Sequence, residues 1–125
     1  MTPLTFLVLA LAGGAGAAVR FLFDGLIRTW LQTEFPWATT LINVSGSLAL
    51  GVLTGLTLGQ VLPTDLGIVI GTGFLGGYTT FSAASYETVQ LIKQGRHIAS
   101  LVSGVGMLVL SVAAALLGLW IGTAL

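Results

Sequence analysis

Three short polar connections divide this 125-residue chain into four long apolar runs. A helix needs about 20 mostly apolar residues to cross a bilayer, and each run is of that length. The pattern predicts membrane-spanning helices over residues 3–23, 37–58, 66–92 and 98–124, with the first able to continue to Leu31. Because the connections are too short to fold outside the membrane, we expect an all-α integral membrane protein with a single transmembrane domain, residues 1–125.

The third apolar run contains the most informative stretch, GFLGGYTTFS at residues 73–82. Four glycines between Gly71 and Gly77 weaken a helix there, by about 1 kcal/mol each relative to alanine, and hydroxyl side chains follow directly. Non-helical backbone persists in hydrocarbon only where protein buries it or where it lines a cavity. We therefore predict a third helix broken near its middle, with an ion or substrate site at the break. Close helix packing through small residues is the alternative explanation.

Glycines at helix-packing spacing also occur in the second, third and fourth runs, at Gly51/Gly55/Gly59, Gly67/Gly71 and Gly118/Gly122. Such small-xxx-small ridges let helix backbones approach closely and indicate packing rather than chemistry. Four helices can scarcely enclose a polar route of their own. We therefore expect the chain to associate into a dimer.

Composition excludes several classes of protein. Only 6% of the residues are charged and mean hydropathy is +1.04, whereas a soluble domain usually carries about 25% charged residues. There is no cysteine, and one histidine with four scattered carboxylates offers neither a metal cluster nor an acid–base pair. An enzyme is not expected, for want of any nucleophile–base constellation. The formal net charge is zero, so nothing indicates nucleic acid as a partner.

Arg20 and Asn43 are the polar residues whose placement in apolar runs suggests chemistry. A guanidinium in or near hydrocarbon generally faces a wet cavity or a partner, and its permanent charge and several donors suit an anion vestibule. Snorkelling to the interface or pairing with Asp24 would also explain Arg20. Asn43 shares a helical face with Thr40 and Ser47. Its amide could donate to a bound anion or form a helix–helix hydrogen bond.

Phe81 lies just past the predicted break, between Thr80 and Ser82, and shares a helical face with Ser85. The edge of a phenylalanine ring is positive, so a ring presented edge-on can contact an anion and repel a cation. Packing or lipid contact is the ordinary role of a membrane phenylalanine. Glu87, one turn onward, is expected near the mouth of the site.

The fourth run carries serines at helical spacing, with Met107 in the same stripe: Ser100, Ser103 and Ser111. A serine in a membrane helix can bond its own i−4 carbonyl. We therefore interpret this stripe as packing.

Three motifs, in this order, resemble those of the small fluoride channels, the Fluc or CrcB family: GGAGAAVRF at 13–21, TLINVSG at 40–46 and GFLGGYTTFS at 73–82. The resemblance covers nearly the whole chain, and the last motif is highly specific. It implies an antiparallel, dual-topology dimer of two subunits that encloses two fluoride routes. It also implies a structural Na⁺ at the dimer centre, held by the backbone carbonyls of Gly76 and Thr79.

The same resemblance implies roles for four side chains. Arg20 would attract the anion, Asn43 would donate along the route, and Phe81 with Ser82 would line it. Fluoride is strongly hydrated, so donors must replace its water along the way. Hydroxyls, an amide and ring edges in series can do this.

Two positions depart from the family pattern. The family usually has a second phenylalanine three residues after the first, where this chain has Ala84. It also tends to place a tyrosine in the fourth helix, where Ser103 stands here. One aromatic contact per route is therefore expected to be missing or to come from a partner.

Charge placement suggests an orientation. Apart from Arg20, the cations are Arg28 in the first connection and Lys93 and Arg96 in the third, and both connections lie on the same side of the membrane. The positive-inside rule then favours the first and third connections in the cytoplasm. A homodimer that inserts both ways would need almost no bias, so one half of an oppositely biased heterodimer is a second hypothesis.

We expect a passive fluoride channel subunit in the inner membrane of a bacterial-type cell, exporting fluoride and lowering its cytoplasmic concentration. The partners are the fluoride ion, the lipid bilayer and a second subunit, identical or homologous. The alternatives are a subunit that does not conduct alone and a small dual-topology multidrug transporter. The transporter class couples protons to cationic drugs through a membrane carboxylate, and this chain carries Arg20 where that residue would stand.

Overall fold

The computed structural model describes residues 2–32 and 35–125. Residue 1 of the predicted domain and residues 33 and 34 of the first predicted connection lie outside the described residues. The described elements are all helical: α1 Pro3–Trp30, α2 Trp37–Leu58, α3 Thr64–Ile68, a π-helix Val69–Leu75, α4 Gly76–Tyr78, α5 Ser82–Lys93 and α6 His97–Ala124.

Four helical segments of the described chain are long and apolar enough to cross a membrane, which confirms the all-helical prediction of four spans. They are α1, α2, the composite segment Thr64–Lys93 and α6. The composite segment, called the third span below, comprises α3, the π-helix, α4 and α5. Most large apolar side chains point outward, with Phe21 and Ile98 about four-fifths exposed. A chain with an apolar exterior and four such helices is a multi-pass membrane protein.

α1 illustrates how local signals set a helix. Thr2 caps it, because its Oγ1 accepts a hydrogen bond from the Thr5 amide at 3.1 Å. Pro3 occupies the first turn, where its missing N–H costs nothing. The helix runs on to Trp30, beyond the apolar run that ends at Phe23.

α2 and α6 pack directly backbone to backbone. A Cβ on Gly51 would overlap the Ala115 carbonyl, and one on Gly118 would overlap the carbonyl of Leu48. Gly55 packs against the last turn of α6. The predicted role of these ridges in close helix packing is confirmed, although Gly59 contacts only its own helix.

A second close contact joins α1 to the third span. A Cβ on Gly16 would overlap the Phe74 carbonyl, and one on Gly77 would overlap the carbonyl of Gly13. Beside this contact, Tyr78 packs with Ile42 in a small buried cluster. These contacts fix the third span between α1 and α2, where its polar segment meets Asn43.

Candidate functional site

Residues 79–81 separate α4 from α5, and Thr79 is extended, with a ψ of 159°. In a continuous α-helix, the amides of Thr80 and Ala83 would bond the carbonyls of Gly76 and Thr79. Instead, the Thr80 amide donates to Asn43 Oδ1 at 2.8 Å, and the Ala83 amide donates to Thr80 Oγ1 at 3.2 Å. The carbonyls of Gly76 and Thr79 are thereby released from their helical donors.

Asn43 on α2 forms hydrogen bonds with both backbone groups of Thr80. Its Oδ1 accepts from the Thr80 amide, and its Nδ2 donates to the Thr80 carbonyl at 2.8 Å. The other Nδ2 proton reaches Met107 Sδ on α6, at 3.2 Å. The helix–helix hydrogen bond considered from the sequence is thus formed, and it links α2 to the interrupted backbone. The thioether is a weak acceptor, so one amide proton remains replaceable.

Arg20 faces the same segment from α1. It is half-buried, and its Nε donates to the Gly77 carbonyl at 3.3 Å. Asp24 is bonded to Arg28 instead, at 3.0 Å. The guanidinium of Arg20 therefore lies against the third span rather than in the alternative pairing with Asp24.

An open groove with a volume of about 780 Å³ runs along α2, the third span and α6. It brings together six of the eight predicted site residues, four of them from the anion route and two from the cation site: Asn43, Thr80, Phe81, Ser85, Gly76 and Thr79. Arg20 and Ser82 are not part of its lining. Ser82 still adjoins it, since its Oγ lies 3.3 Å from Thr80 Oγ1.

Phe81 lines the groove with 85% of its surface accessible. Gly76 and Ser85 are exposed as well. In one chain, the groove is therefore open to the exterior at Phe81, Gly76 and Ser85, and no other part of the described chain covers these residues.

The predicted site residues leave out four hydroxyl residues of the lining: Ser47, Thr72, Thr88 and Ser111. The Ser111 hydroxyl is buried without a hydrogen-bond partner among the described residues. Its helical spacing with Ser100 and Ser103 was the sequence pattern that could have indicated it. In the structure, however, Ser111 is the one of these three serines that lines the groove. Ser103 is fully buried outside the groove, whereas Ser100 donates to the Thr88 carbonyl at 3.1 Å.

The released carbonyls are the groups that could bind a cation in this part of the structure. Within the described residues, no group of three or more His, Cys, Asp or Glu side chains could hold a metal. The carbonyls of Gly76 and Thr79 have lost their helical donors, and both residues line the groove. Backbone oxygens are the ligands that hard cations prefer, so these two fit such an ion as part of a larger set.

The model of the family described as "CrcB-like protein, Camphor Resistance (CrcB)" matches residues 7–123. The chain belongs to the CrcB family. A protein of Leifsonia xyli named "Fluoride-specific ion channel FluC 1" is 52% identical over 98% of this chain and 89% of its own length. "Fluoride-specific ion channel FluC 2" of Mycobacterium bovis is 40% identical, covering 97% of this chain and 93% of that protein.

A CrcB relative from Nitrobacter winogradskyi, "Fluoride-specific ion channel FluC", is also 40% identical, over 94% of each chain. These matches confirm the family resemblance drawn from the three motifs. Since the family is one of ion channels, the expectation that the chain is not an enzyme is confirmed too.

Proposed function

We propose that this CrcB chain is a subunit of a passive, fluoride-selective channel of the cell inner membrane, exporting fluoride and lowering its cytoplasmic concentration. Three relatives named as fluoride-specific ion channels support the ion. The observation that carries the proposal is the interrupted segment at residues 79–81, tied to Asn43 beside an open groove. A channel of this kind would need such an interruption in its third span, and residues 79–81 support that part of the proposal.

The groove offers the chemistry that a dehydrating fluoride ion needs. The Ser85 hydroxyl and one Asn43 proton supply donors along its length. The Phe81 ring stands free in it and can present its positive edge. Fluoride accepts hydrogen bonds far better than a thioether does, so it can replace Met107 Sδ as the acceptor of the Asn43 N–H group. Arg20 adds positive charge behind the same segment.

A second copy, inverted in the bilayer, would cover the open side of the groove. Phe81 and Gly76 are both exposed on the open side, and a face with released carbonyls is unsuited to lipid. An antiparallel dimer would bring two pairs of carbonyls together, from Gly76 and Thr79 of each copy. Four oxygens at the centre would hold a structural Na⁺, whose charge would favour anions in both routes.

The second copy could be a homologous subunit rather than an identical one. Three cations flank the first and third connections, which biases orientation. Ala84 lies in the groove lining where the family has phenylalanine. A topology reporter fused to the C-terminus decides between the two: signal on both faces requires dual insertion and removes the heterodimer. The multidrug-transporter alternative lacks support, because no carboxylate lines this groove in the described part of the chain.

Fluoride efflux from liposomes that contain only this chain tests the proposal. We expect efflux that discriminates fluoride from chloride, measured with ion-selective electrodes. Silence that is rescued by a homologous subunit would favour the heterodimer. Silence under both conditions would refute the channel.

Phe81→Ile tests the route itself. We expect efflux to be suppressed with dimer assembly intact, because the exposed ring stabilises no core. Phe21→Ile on α1 is the matched control, since Phe21 is 78% exposed but does not line the groove. Normal efflux in Phe81→Ile would remove that ring from the pathway.

A further inference from the structure

A compact charge network joins the C-terminal end of α1 to α5. Arg28 Nη2 lies 2.9 Å from Glu87 Oε1, and Arg28 Nε lies 3.0 Å from Asp24 Oδ2. The Thr39 hydroxyl on α2 donates to the same Glu87 Oε1 at 2.7 Å. The Glu87 side chain is the least exposed member, at 17%, whereas those of Asp24 and Arg28 are 35% and 51% exposed.

Glu87 lies beside the groove although it does not line it. On α5 it falls between Ser85 and Thr88, both of which do. Thr39, its hydroxyl partner, is one turn before Asn43 on the same face of α2. Glu87 therefore bonds to α2 at a residue about one helical turn, roughly 6 Å along the axis, from the amide that supports the interrupted segment.

The two Glu87 oxygens have different environments. Oε1 accepts hydrogen bonds from Arg28 Nη2 and from the Thr39 hydroxyl. Oε2 is buried and has no hydrogen-bond partner among the described residues. Thr39 is neutral, and a hydroxyl cannot cancel a carboxylate charge. Within this network, only Arg28 balances the negative charge of Glu87, and Asp24 holds Arg28 from its exposed side.

We infer that Arg28 is a positioning residue for conduction: it compensates the charge of Glu87 and so keeps the adjacent anion route from being repulsive. This inference rests on the proposed fluoride channel. A carboxylate near the route opposes entry of an anion, and the opposition is strong where water is scarce. With Arg28 in place, its positive charge offsets the negative charge of Glu87, and the remaining net charge of the network belongs to the more exposed Asp24. Without it, Glu87 presents a full negative charge beside the groove.

Arg28→Gln tests the inference in the full chain reconstituted in liposomes. At an effective dielectric constant of about 20 and a separation of one to two helical turns, roughly 5–10 Å, an uncompensated charge is expected to slow fluoride efflux roughly tenfold or more. The loss should be larger near 10 mM salt than near 1 M, because the screening length falls from about 30 Å to about 3 Å, with a smaller change than for a surface charge since Glu87 is only 17% exposed. Arg28→Lys keeps the charge and should retain most of the efflux.

Two further variants separate charge from architecture. Adding Glu87→Gln to Arg28→Gln should restore efflux to within about threefold of the parent, since the repelling charge is gone. Glu87→Gln alone should raise efflux at low salt. Lys93→Gln is the matched control, because it removes one exposed cation from the C-terminal end of α5 and should leave efflux unchanged.

The outcomes are distinct. Wild-type silence refutes the proposed function, and this inference with it. With a conducting wild type, normal efflux in Arg28→Gln overturns only the inference, as does a loss that is independent of salt or is not rescued by Glu87→Gln. Should Arg28→Gln fail to assemble, Glu87→Gln alone decides: faster efflux at low salt supports charge compensation, and unchanged or slower efflux contradicts it.

Discussion

The contact between α2 and α6 and the contact between α1 and the third span are both built on glycines, but only the second adjoins released backbone groups. Gly51 and Gly118 bring two regular helices together. Gly16 and Gly77 instead bring α1 against the π-helix and α4, next to the interruption. The spacing of small residues therefore indicates close approach in both places and does not identify the site.

Polar side chains distinguish the two regions. In the second, Arg20 donates to the Gly77 carbonyl and Asn43 pairs with both backbone groups of Thr80. The α2–α6 contact lacks this support. Among the described hydrogen bonds, none joins a side chain of another element to the backbone at its glycines, which are Gly51, Gly55, Gly118 and Gly122. A glycine contact with polar support from two other helices marks where non-helical backbone is tolerated.

The largest expected difference between the two contacts comes from adding one methyl group to each. Gly16→Ala would drive a Cβ into the Phe74 carbonyl, and Gly118→Ala would drive one into the carbonyl of Leu48. Each should lower the free energy of unfolding by about 3 kcal/mol, the upper range for an overpacked core. Thermal unfolding in detergent measures this loss.

Efflux then separates the two variants. Gly16→Ala displaces the backbone beside the interruption and should abolish efflux from folded protein, whereas Gly118→Ala should retain it. Gly14→Ala is the control on α1, since nothing lies within 4 Å of its Cβ position. Equal efflux in Gly16→Ala and Gly118→Ala would show that the two contacts contribute equally to conduction, which would contradict the distinction drawn here.

Much of the fold could be predicted because length and hydropathy decide it. The four spans follow from apolar runs, and the sequence allowed the first helix to continue to Leu31, one residue past the observed end of α1. Arg20 and Asp24 interrupt the apolar pattern after residue 19, yet the helix continues to Trp30. The structure supplies the reason: Arg20 bonds the Gly77 carbonyl, and Asp24 pairs with Arg28 four residues on.

The interior of the third span could not be predicted in detail. The glycines indicated weakness, but most of their stretch is π-helical, and the non-helical residues are the three that follow, 79–81. Which amides leave the helix is decided by Asn43, which is 37 positions away from Thr80. The acceptor that Arg20 uses is a backbone carbonyl, which carries no sequence signal.

Asn43→Ala tests the polar support of the interrupted segment and leaves the glycine contacts unchanged. It would strip the Thr80 amide and carbonyl of their partner, and an unpaired buried polar group costs about 1–3 kcal/mol. We expect a loss of about 2 kcal/mol on thermal unfolding, together with loss of efflux. Ser47→Ala is the control one turn along α2, in the same groove. A loss in Asn43→Ala no larger than in Ser47→Ala would mean that the amide does not hold the segment.

The smallest expected effect tests whether Tyr78 belongs to the packing or to the polar support. Its ring is buried and meets Phe23 edge to face, with centroids 6.1 Å apart. Its hydroxyl lies 3.0 Å from Ser45 Oγ, and that hydroxyl already gives its one proton to the Ile42 carbonyl. Tyr78 is therefore the donor, and the bond ties α4 to α2.

Tyr78→Phe removes this bond and keeps the ring, so we expect a loss of only about 0.6 kcal/mol, typical of a polar pair between membrane helices. Ser45→Ala should cost about the same, and the double variant should cost no more than either, when all three are compared by thermal unfolding. Additive losses would mean that the two hydroxyls do not act on each other. Efflux should survive in each variant, because the ring still packs against Gly46 and keeps Thr79 in place. Loss of efflux at so small a cost in stability would instead place the Tyr78 hydroxyl among the groups that support the interrupted segment.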